Sequence, residues 1–314
     1  MNGGALVRVA AAVLLRRDGK VLLAQRLPGK PYPGYWEFPG GKLEGSESAR
    51  DALVRELAEE LGIEVTRAAP WLTQRFVYPH AHVELNFFRV FAWDGEPHGR
   101  DGQAITWQTP GVFDVEPLLP ANAPVLRTLE LPAIYGITMA EDVGENVFVE
   151  QARVAMDRGL RLVQLREKSF SGERLSRFSA RLRDLAQARA ARVLLNGDAE
   201  TARALGCDGV HWTAARLLAA HSRPRDILCA ASCHDRMDLA RAAALGLDFV
   251  VLGPVKATPS HPAMQPLGWE GFAGLARASP LPIYALGGLT SGDVDDAIDH
   301  GAHGVALRRG AWVQ

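Results

Sequence analysis

Long apolar runs, paired cysteines and a surplus of charge of either sign are all missing from this 314-residue chain. No apolar stretch is long enough to cross a bilayer, so no spanning helix is expected. The run VAAAVLL near the start lacks a basic leader and an A-x-A-like cleavage site, and it ends in the turn RRDG. It reads as a first strand and not as a signal peptide. Only three cysteines occur, Cys207, Cys229 and Cys233. An odd, sparse set excludes a disulfide framework and suits a reducing cytoplasm. No CxxC pair is present, so Cys229, Cys233 and His234 read as strand residues with buried thiols before they read as metal ligands. The net charge is −1. That excludes a broad basic field for gripping nucleic acid, and a free nucleotide is the better expected partner. Neither a short repeat nor a low-complexity tract appears. With 47% hydrophobic and 23% charged residues, the composition is that of a soluble globular protein long enough for two domains.

What is present is organised around residues 41–63, GKLEGSESARDALVRELAEELGI. A Gly-rich loop runs into an amphipathic helix. Ser46 is the expected N-cap, Glu47 suits the positive end of the helix dipole, and Gly62 is a natural stop. Leu53, Leu57 and Leu61 recur every four residues, with Val54 and Ala58 beside them, and should dock on a sheet. Glu56, Glu59 and Glu60 fall together on another face. Three clustered carboxylates repel one another unless a cation sits between them. A hard divalent ion meets that need because it prefers oxygen ligands and brings phosphate with it.

In chain order, residues 5–15 and 20–25 read as an antiparallel hairpin turning at Arg16-Arg17-Asp18-Gly19. The breaker-rich loop LPGKPYPGY and then WEFPGGK follow, a candidate substrate mouth. Strands are expected over 71–78 and 82–93, a short one at AITWQ, and a last helix after LLPANAPVL with Pro124 near its first turn. The sum is an α/β/α sandwich over residues 1–131. Beyond Leu131-Pro132, eight short apolar strands alternate with helical patterns, which reads as a (β/α)₈ barrel over 132–314 with its eighth helix missing or reduced.

The spacing from Gly41 through Glu47 to the run Arg55-Glu56-Leu57-Ala58-Glu59-Glu60-Leu61-Gly62-Ile63 matches the Nudix box. With GYWEFPGGK and the tail LLPANAPVL, the first half resembles the MutT branch of Nudix hydrolases, the 8-oxo-dGTP diphosphatases. The resemblance implies Mg²⁺, with Mn²⁺ as the alternative, held by Glu56, Glu59 and Glu60 and by backbone carbonyls of Gly40 or Gly41. Glu56 is the preferred general base, and Arg55 orients the glutamates by pairing. It also implies that Arg26, Glu37, Phe38, Pro39, Gly40 and Asn122 hold the oxidised guanine nucleotide. Asp101 stands where the branch has a glutamate near the metal, one methylene shorter. Asn122 offers both a donor and an acceptor to a purine edge, and capping of the last helix is the competing role.

In the second half, Gln164, Arg166 and Lys168 alternate at the end of the second barrel strand, so they share a side and face the mouth as a phosphate clamp. Asn196, Ser232 and Gly287-Gly288 also follow strand ends. This half resembles thiamine-phosphate synthase and its thiazole-tautomerase relatives. The resemblance implies pyrimidine-diphosphate contacts at Gln164, Arg166, Lys168 and Asn196, thiazole-phosphate contacts at Thr258, Ser260 and Gly288, and a further match at Ser232. The pattern is broken where magnesium would bind. Gly197 follows Asn196 where a synthase has aspartate, WTAARLL supplies no second acid, and Asp198 is the nearest substitute. A lysine of the loop is His261, the late Val-Ser phosphate contact falls near Leu307-Arg308, and Pro254 replaces the histidine of a tautomerase.

These features support a nucleotide-pool hydrolase that converts 8-oxo-dGTP to 8-oxo-dGMP and pyrophosphate and so prevents mutation at replication. The barrel is expected to bind a phosphorylated ligand and to be a poor synthase. Three alternatives stand beside this: a Nudix hydrolase of another nucleoside diphosphate derivative, a bifunctional enzyme that also makes thiamine phosphate, and a barrel that only senses its ligand. No nucleic-acid or membrane partner is expected.

Overall fold

The computed structural model describes residues 6–79, 81–258 and 265–312. The chain divides into two compact units, Met1–Leu131 and Pro132–Gln314. The elements of the first are β1 (Val7–Leu14), β2 (Val21–Gln25), β3 (Trp36–Glu37), β4 (Gly40–Lys42), α1 (Ala49–Leu61), β5 (Glu64–Tyr78), β6 (Ala81–Asp94), β7 (Ile105–Gln108) and α2 (Ala123–Thr128). They form one sheet in the order β4-β1-β6-β5 and a second in the order β3-β2-β7. β1 is buried on both faces, as its apolar run requires. Ala10, Ala12 and Leu14 pack with Leu53, Leu57 and Leu61 of α1. Ala11 and Val13 face the other way, onto Phe87, Val125 and Leu126. Helices therefore cover both faces of the sheet, the mixed α/β architecture expected.

Two local expectations are corrected. The hairpin of β1 and β2 is reduced to the single bridge Leu15–Val21, and the strands then diverge into different sheets. β1 instead pairs in parallel with β6 from Val7 to Leu14, a longer ladder than a hairpin with the five-residue β2 allows. The N-cap of α1 is Ser48, not Ser46. Asp51 closes a capping box with Ser48, which leaves Glu47 outside the helix with its carboxylate on the Glu44 amide at 2.6 Å. Gly62 ends α1 in the left-handed region at φ 68.

The second unit is a closed parallel barrel of eight strands. In chain order its elements are β8 (Ile134–Ile137), α3 (Ala140–Val143), α4 (Glu145–Asp157), β9 (Leu162–Leu165), α5 (Gly172–Gln187), β10 (Arg192–Asn196), α6 (Ala199–Ala204), β11 (Gly209–Trp212), α7 (Ala214–Ala219), β12 (Leu228–Cys233), α8 (Arg236–Leu245), β13 (Phe249–Leu252), α9 (Gly268–Ala276), β14 (Ile283–Leu286), a 3₁₀ turn (Ser291–Asp293), α10 (Val294–Asp299) and β15 (Gly304–Leu307). Residues alternate between two surroundings. Val163, Leu165, Val193, Leu195, Val250 and Leu252 pack outward on the helices. Tyr135, Phe249 and Tyr284 fill the interior as an aromatic triad with centroids 5.2–5.7 Å apart. After β15 the described residues form turns and no helix. Trp312 covers that side: its indole donates to Ile137 O at 2.8 Å and its ring meets Phe148 edge-on. Gly136 permits this approach, since a Cβ there would lie 2.9 Å from the Trp312 ring.

His211 sits inside the barrel, 1% exposed, between Tyr135 Oη at 3.3 Å and Ser232 Oγ at 3.0 Å. Burial first, and the Arg166 charge second, press its pKa from 6.5 down to about 3. The folded barrel therefore keeps His211 neutral where the unfolded chain protonates it. Stability should fall as the pH drops from 6.5 toward 3, by about 1.4 kcal/mol per unit. Denaturant titrations at pH 6.5 and pH 5 test this: the wild type should lose about 1.6 kcal/mol more than His211→Gln over that interval. Equal losses in the two proteins would show that His211 is not held neutral.

Candidate active site

α1 delivers three glutamates and one arginine to the edge of β4. The Arg55 guanidinium spans them, meeting Glu47 at 2.8 Å, Glu56 at 3.0 Å, Glu59 at 3.2 Å and the Lys42 carbonyl at 3.1 Å. The hydrogen bond to Glu47, then that to Glu56, lifts the Arg55 pKa and holds its charge. Glu56 lodges its carboxylate against Gly41, where an added Cβ would lie 2.0 Å from it. Burial raises the Glu56 pKa; Arg55 opposes the rise, and the charges of Glu60 and Glu59 add to it. Glu60 receives the Gly40 amide at 3.4 Å and Lys30 Nζ at 3.4 Å. Glu59 points outward, its side chain 61% exposed.

A cleft opens beside these residues, lined by Arg26, Lys30, Glu37, Glu60, Asp101 and Gln103 among others. Arg26 Nη1 pairs with Glu37 at 2.5 Å, and its Nε donates to Pro31 O at 2.6 Å. Burial raises the Glu37 pKa against the pull of Arg26. Gln103 was not foreseen. Its amide donates to Glu60 O at 2.9 Å and accepts from Asp101 N at 2.9 Å, tying the Asp101 loop to the end of α1. Phe38 is a core residue, edge-on to Phe87, and the buried Pro39 lines the cleft. Asn122 is 3% exposed and occupies the N-cap position of α2, but its side chain makes no capping bond. The segment before it lies along β3, through Trp36 N to Pro117 O and Leu119 N to Trp36 O.

The donor set suits a hard divalent cation: all carboxylate oxygen, with glycine Gly41 leaving room that a side chain would fill. Among the described residues, no three acidic, histidine or cysteine side chains already converge on one point. Arg55 holds Glu56 and Glu59, and Lys30 holds Glu60, so cations of the chain stand beside each carboxylate.

At the barrel mouth, Gln164 is buried and donates to Tyr135 Oη at 3.3 Å, which places Gln164, Tyr135, His211 and Ser232 in one polar chain. Tyr135 and His211 escaped the sequence reading because each sits in an ordinary apolar strand pattern. Asn196 donates to His211 O at 3.2 Å. Lys168 is exposed and Arg166 half-buried. Gly288 has φ +65, and a Cβ there would meet Ala257 O at 2.6 Å, so only glycine fits. Thr258 lies in the loop after β13, and Ser260 and His261 fall outside the described residues. Asp198 is not the spare magnesium ligand it first resembles. Its two oxygens take Thr201 N at 2.8 Å and Thr201 Oγ1 at 3.0 Å, capping α6. The three cysteines are buried and unpaired, and burial raises the pKa of each.

Comparison with known proteins agrees with this division. The thiamine monophosphate synthase family model matches residues 134–311, and the NUDIX domain model matches residues 5–129. An 8-oxo-dGTP diphosphatase of Haemophilus influenzae is 37% identical over 124 residues, covering 40% of this chain and 91% of that protein. A CTP pyrophosphohydrolase of Escherichia coli K12 is 40% identical over 122 residues, covering 39% and 90%. A putative thiamine-phosphate synthase of Geobacter sulfurreducens is 35% identical over 179 residues, covering 56% and 84%. The chain therefore belongs to the Nudix hydrolases through residues 5–129 and to the thiamine monophosphate synthase family through residues 134–311.

Proposed function

We propose that the first unit is an 8-oxo-dGTP diphosphatase: 8-oxo-dGTP and water give 8-oxo-dGMP and pyrophosphate. The observation that carries this is one cleft joining two chemistries. Glu60 and Asp101 line it on the side of the carboxylate cluster, and the Arg26–Glu37 pair lines it on the side of WEFPGG. The similarity to an 8-oxo-dGTP diphosphatase favours the oxidised purine, and that to a CTP pyrophosphohydrolase favours CTP as the second reading.

Glu56, Glu59 and Glu60 would hold the divalent metal, here Mg²⁺, with Asp101 and the Gly40 or Gly41 carbonyls beside them. A bound divalent ion supplies charge neutralisation at the phosphate oxygens and acidifies water. The chain's own residues do the rest. Glu56, whose proton affinity is raised by burial, accepts a proton from the attacking water. Arg55 holds Glu56 and Glu59 in place and offsets their repulsion. Arg26 and Glu37 order the loop over the base, and Asn122 supplies a donor and an acceptor for a purine edge. The cellular consequence is removal of an oxidised nucleotide before a polymerase uses it.

Steady-state hydrolysis of 8-oxo-dGTP, dGTP and CTP with Mg²⁺ tests the assignment. The oxidised purine should have the highest kcat/KM, and Glu56→Gln should lower kcat by at least about 100-fold. A CTP preference would move the function to the second reading. Asn122→Ala should raise KM for 8-oxo-dGTP and reduce its preference over dGTP by about 10-fold or more, a loss of roughly 1–3 kcal/mol of base readout. An unchanged ratio would remove Asn122 from base recognition. Gly41→Ala should fold normally but displace the Glu56 carboxylate, so kcat should fall about 10-fold or more with little change in melting temperature. Wild-type kcat in this variant would show that the Glu56 position is not required.

The barrel, on the same reading, binds a phosphorylated ligand and turns over thiamine-phosphate precursors poorly.

A further inference from the structure

The barrel mouth does not offer a divalent metal the carboxylates it needs. Glu167 is spent on Ala140 N and Glu141 N at 2.8 Å each, Glu141 accepts from Ser169 N, and Asp198 caps α6. What the mouth offers is arginine. Arg166 is the first residue past β9, and Arg308 is the first past β15. Both strands pair with β8, so the two guanidinium-bearing residues flank the end of that strand. Arg308 Nη2 lies 3.0 Å from each oxygen of Asp142, while its Nε is buried without a hydrogen-bond partner. Among the described residues Arg166 makes no side-chain ion pair; its backbone N–H is bonded to Thr138 Oγ1 at 2.9 Å. Burial and then the Arg308 charge weaken its hold on its proton, opposed by Glu141 and Glu167. Two like charges flank one strand end, with one donor orphaned and one side chain unpaired. An anion that accepts from the open guanidinium nitrogens of both would offset the repulsion between them.

We infer that Arg166 and Arg308 form a phosphoryl-binding site at the barrel mouth that works without a divalent metal. Arg308 supplies the positive charge that magnesium would otherwise bring, and Asp142 holds it in place until the ligand arrives. This rests on the reading that the barrel takes a phosphorylated ligand, and the test separates the two.

The test is calorimetric titration of the full-length protein with inorganic phosphate and with pyrophosphate, in EDTA and then in Mg²⁺. The Glu56→Gln variant runs in parallel to discount the hydrolase site. Binding in EDTA is expected in both wild type and Glu56→Gln, and Arg308→Met and Arg166→Met should each weaken it at least about 10-fold. Asp142→Asn guards against a purely structural role for Arg308. It breaks the same ion pair but frees the guanidinium, so affinity should hold or rise. Equal affinity in wild type and Arg308→Met, or equal loss in Asp142→Asn and Arg308→Met, overturns the proposal. Binding that appears only with Mg²⁺ overturns its metal independence and leaves the phosphorylated-ligand reading standing. No binding to the barrel under either condition removes both.

Discussion

The Arg55 guanidinium is the constraint on which the carboxylate cluster of the first unit depends. Three carboxylates on one helix are mutually repulsive, and in an isolated helix they would fan into water. Arg55 draws Glu56 and Glu59 to itself while Glu47, just outside the helix, balances its charge. Its bond to the Lys42 carbonyl fixes the whole group to β4. Because α1 is anchored below by Leu53, Leu57 and Leu61 on β1, the carboxylates cannot drift relative to the glycine strand. Gly41 then becomes part of the site through what it lacks: the space of its missing side chain holds the Glu56 carboxylate. Packing, charge and backbone thus converge on a single oxygen-rich edge.

The same logic runs in the opposite sense in the barrel. There the interior is filled by Tyr135, Phe249 and Tyr284, so the barrel is a packed core whose chemistry is confined to its mouth. A polar chain from Gln164 through Tyr135 and His211 to Ser232 runs up to that mouth. Glu167 is engaged by the Ala140 and Glu141 amides and Asp142 by Arg308. One half of the chain gathers carboxylates around Arg55 and Lys30, and the other sets Arg166 and Arg308 on either side of β8.

The sequence made much of this legible, for identifiable reasons. The α1 face was readable because a four-residue apolar repeat and a fixed carboxylate spacing are local properties. The eight barrel strands were readable because each is a short apolar run between breakers. What failed was non-local. Nothing in VAAAVLL and VLLAQ says that β1 leaves β2 for β6; that choice depends on pairing Val7 with Val83 and Leu14 with Val90, far along the chain. The capping contest between Ser46 and Ser48 turned on Asp51, whose carboxylate returns to Ser48. Gln103 carried no local signal, since its importance comes from the carbonyl of Glu60.

Asn122 and Asp198 show how backbone geometry decides what a polar side chain beside a helix does. Each stands at the first turn of a short helix, and each belongs to a residue type that caps helices well. Asp198 does cap, and its two oxygens are both engaged by Thr201. Asn122 does not cap, although it is buried in the same position relative to α2. A buried amide with no capping duty must recover its hydrogen bonds elsewhere or cost stability. The difference comes from the backbone: Asp198 is extended, which turns its carboxylate back over the following amides, whereas Asn122 is already helical at φ −88 and ψ −26. A helical residue cannot reach back to the N–H groups ahead of it, so the Asn122 amide remains available for a partner other than its own helix.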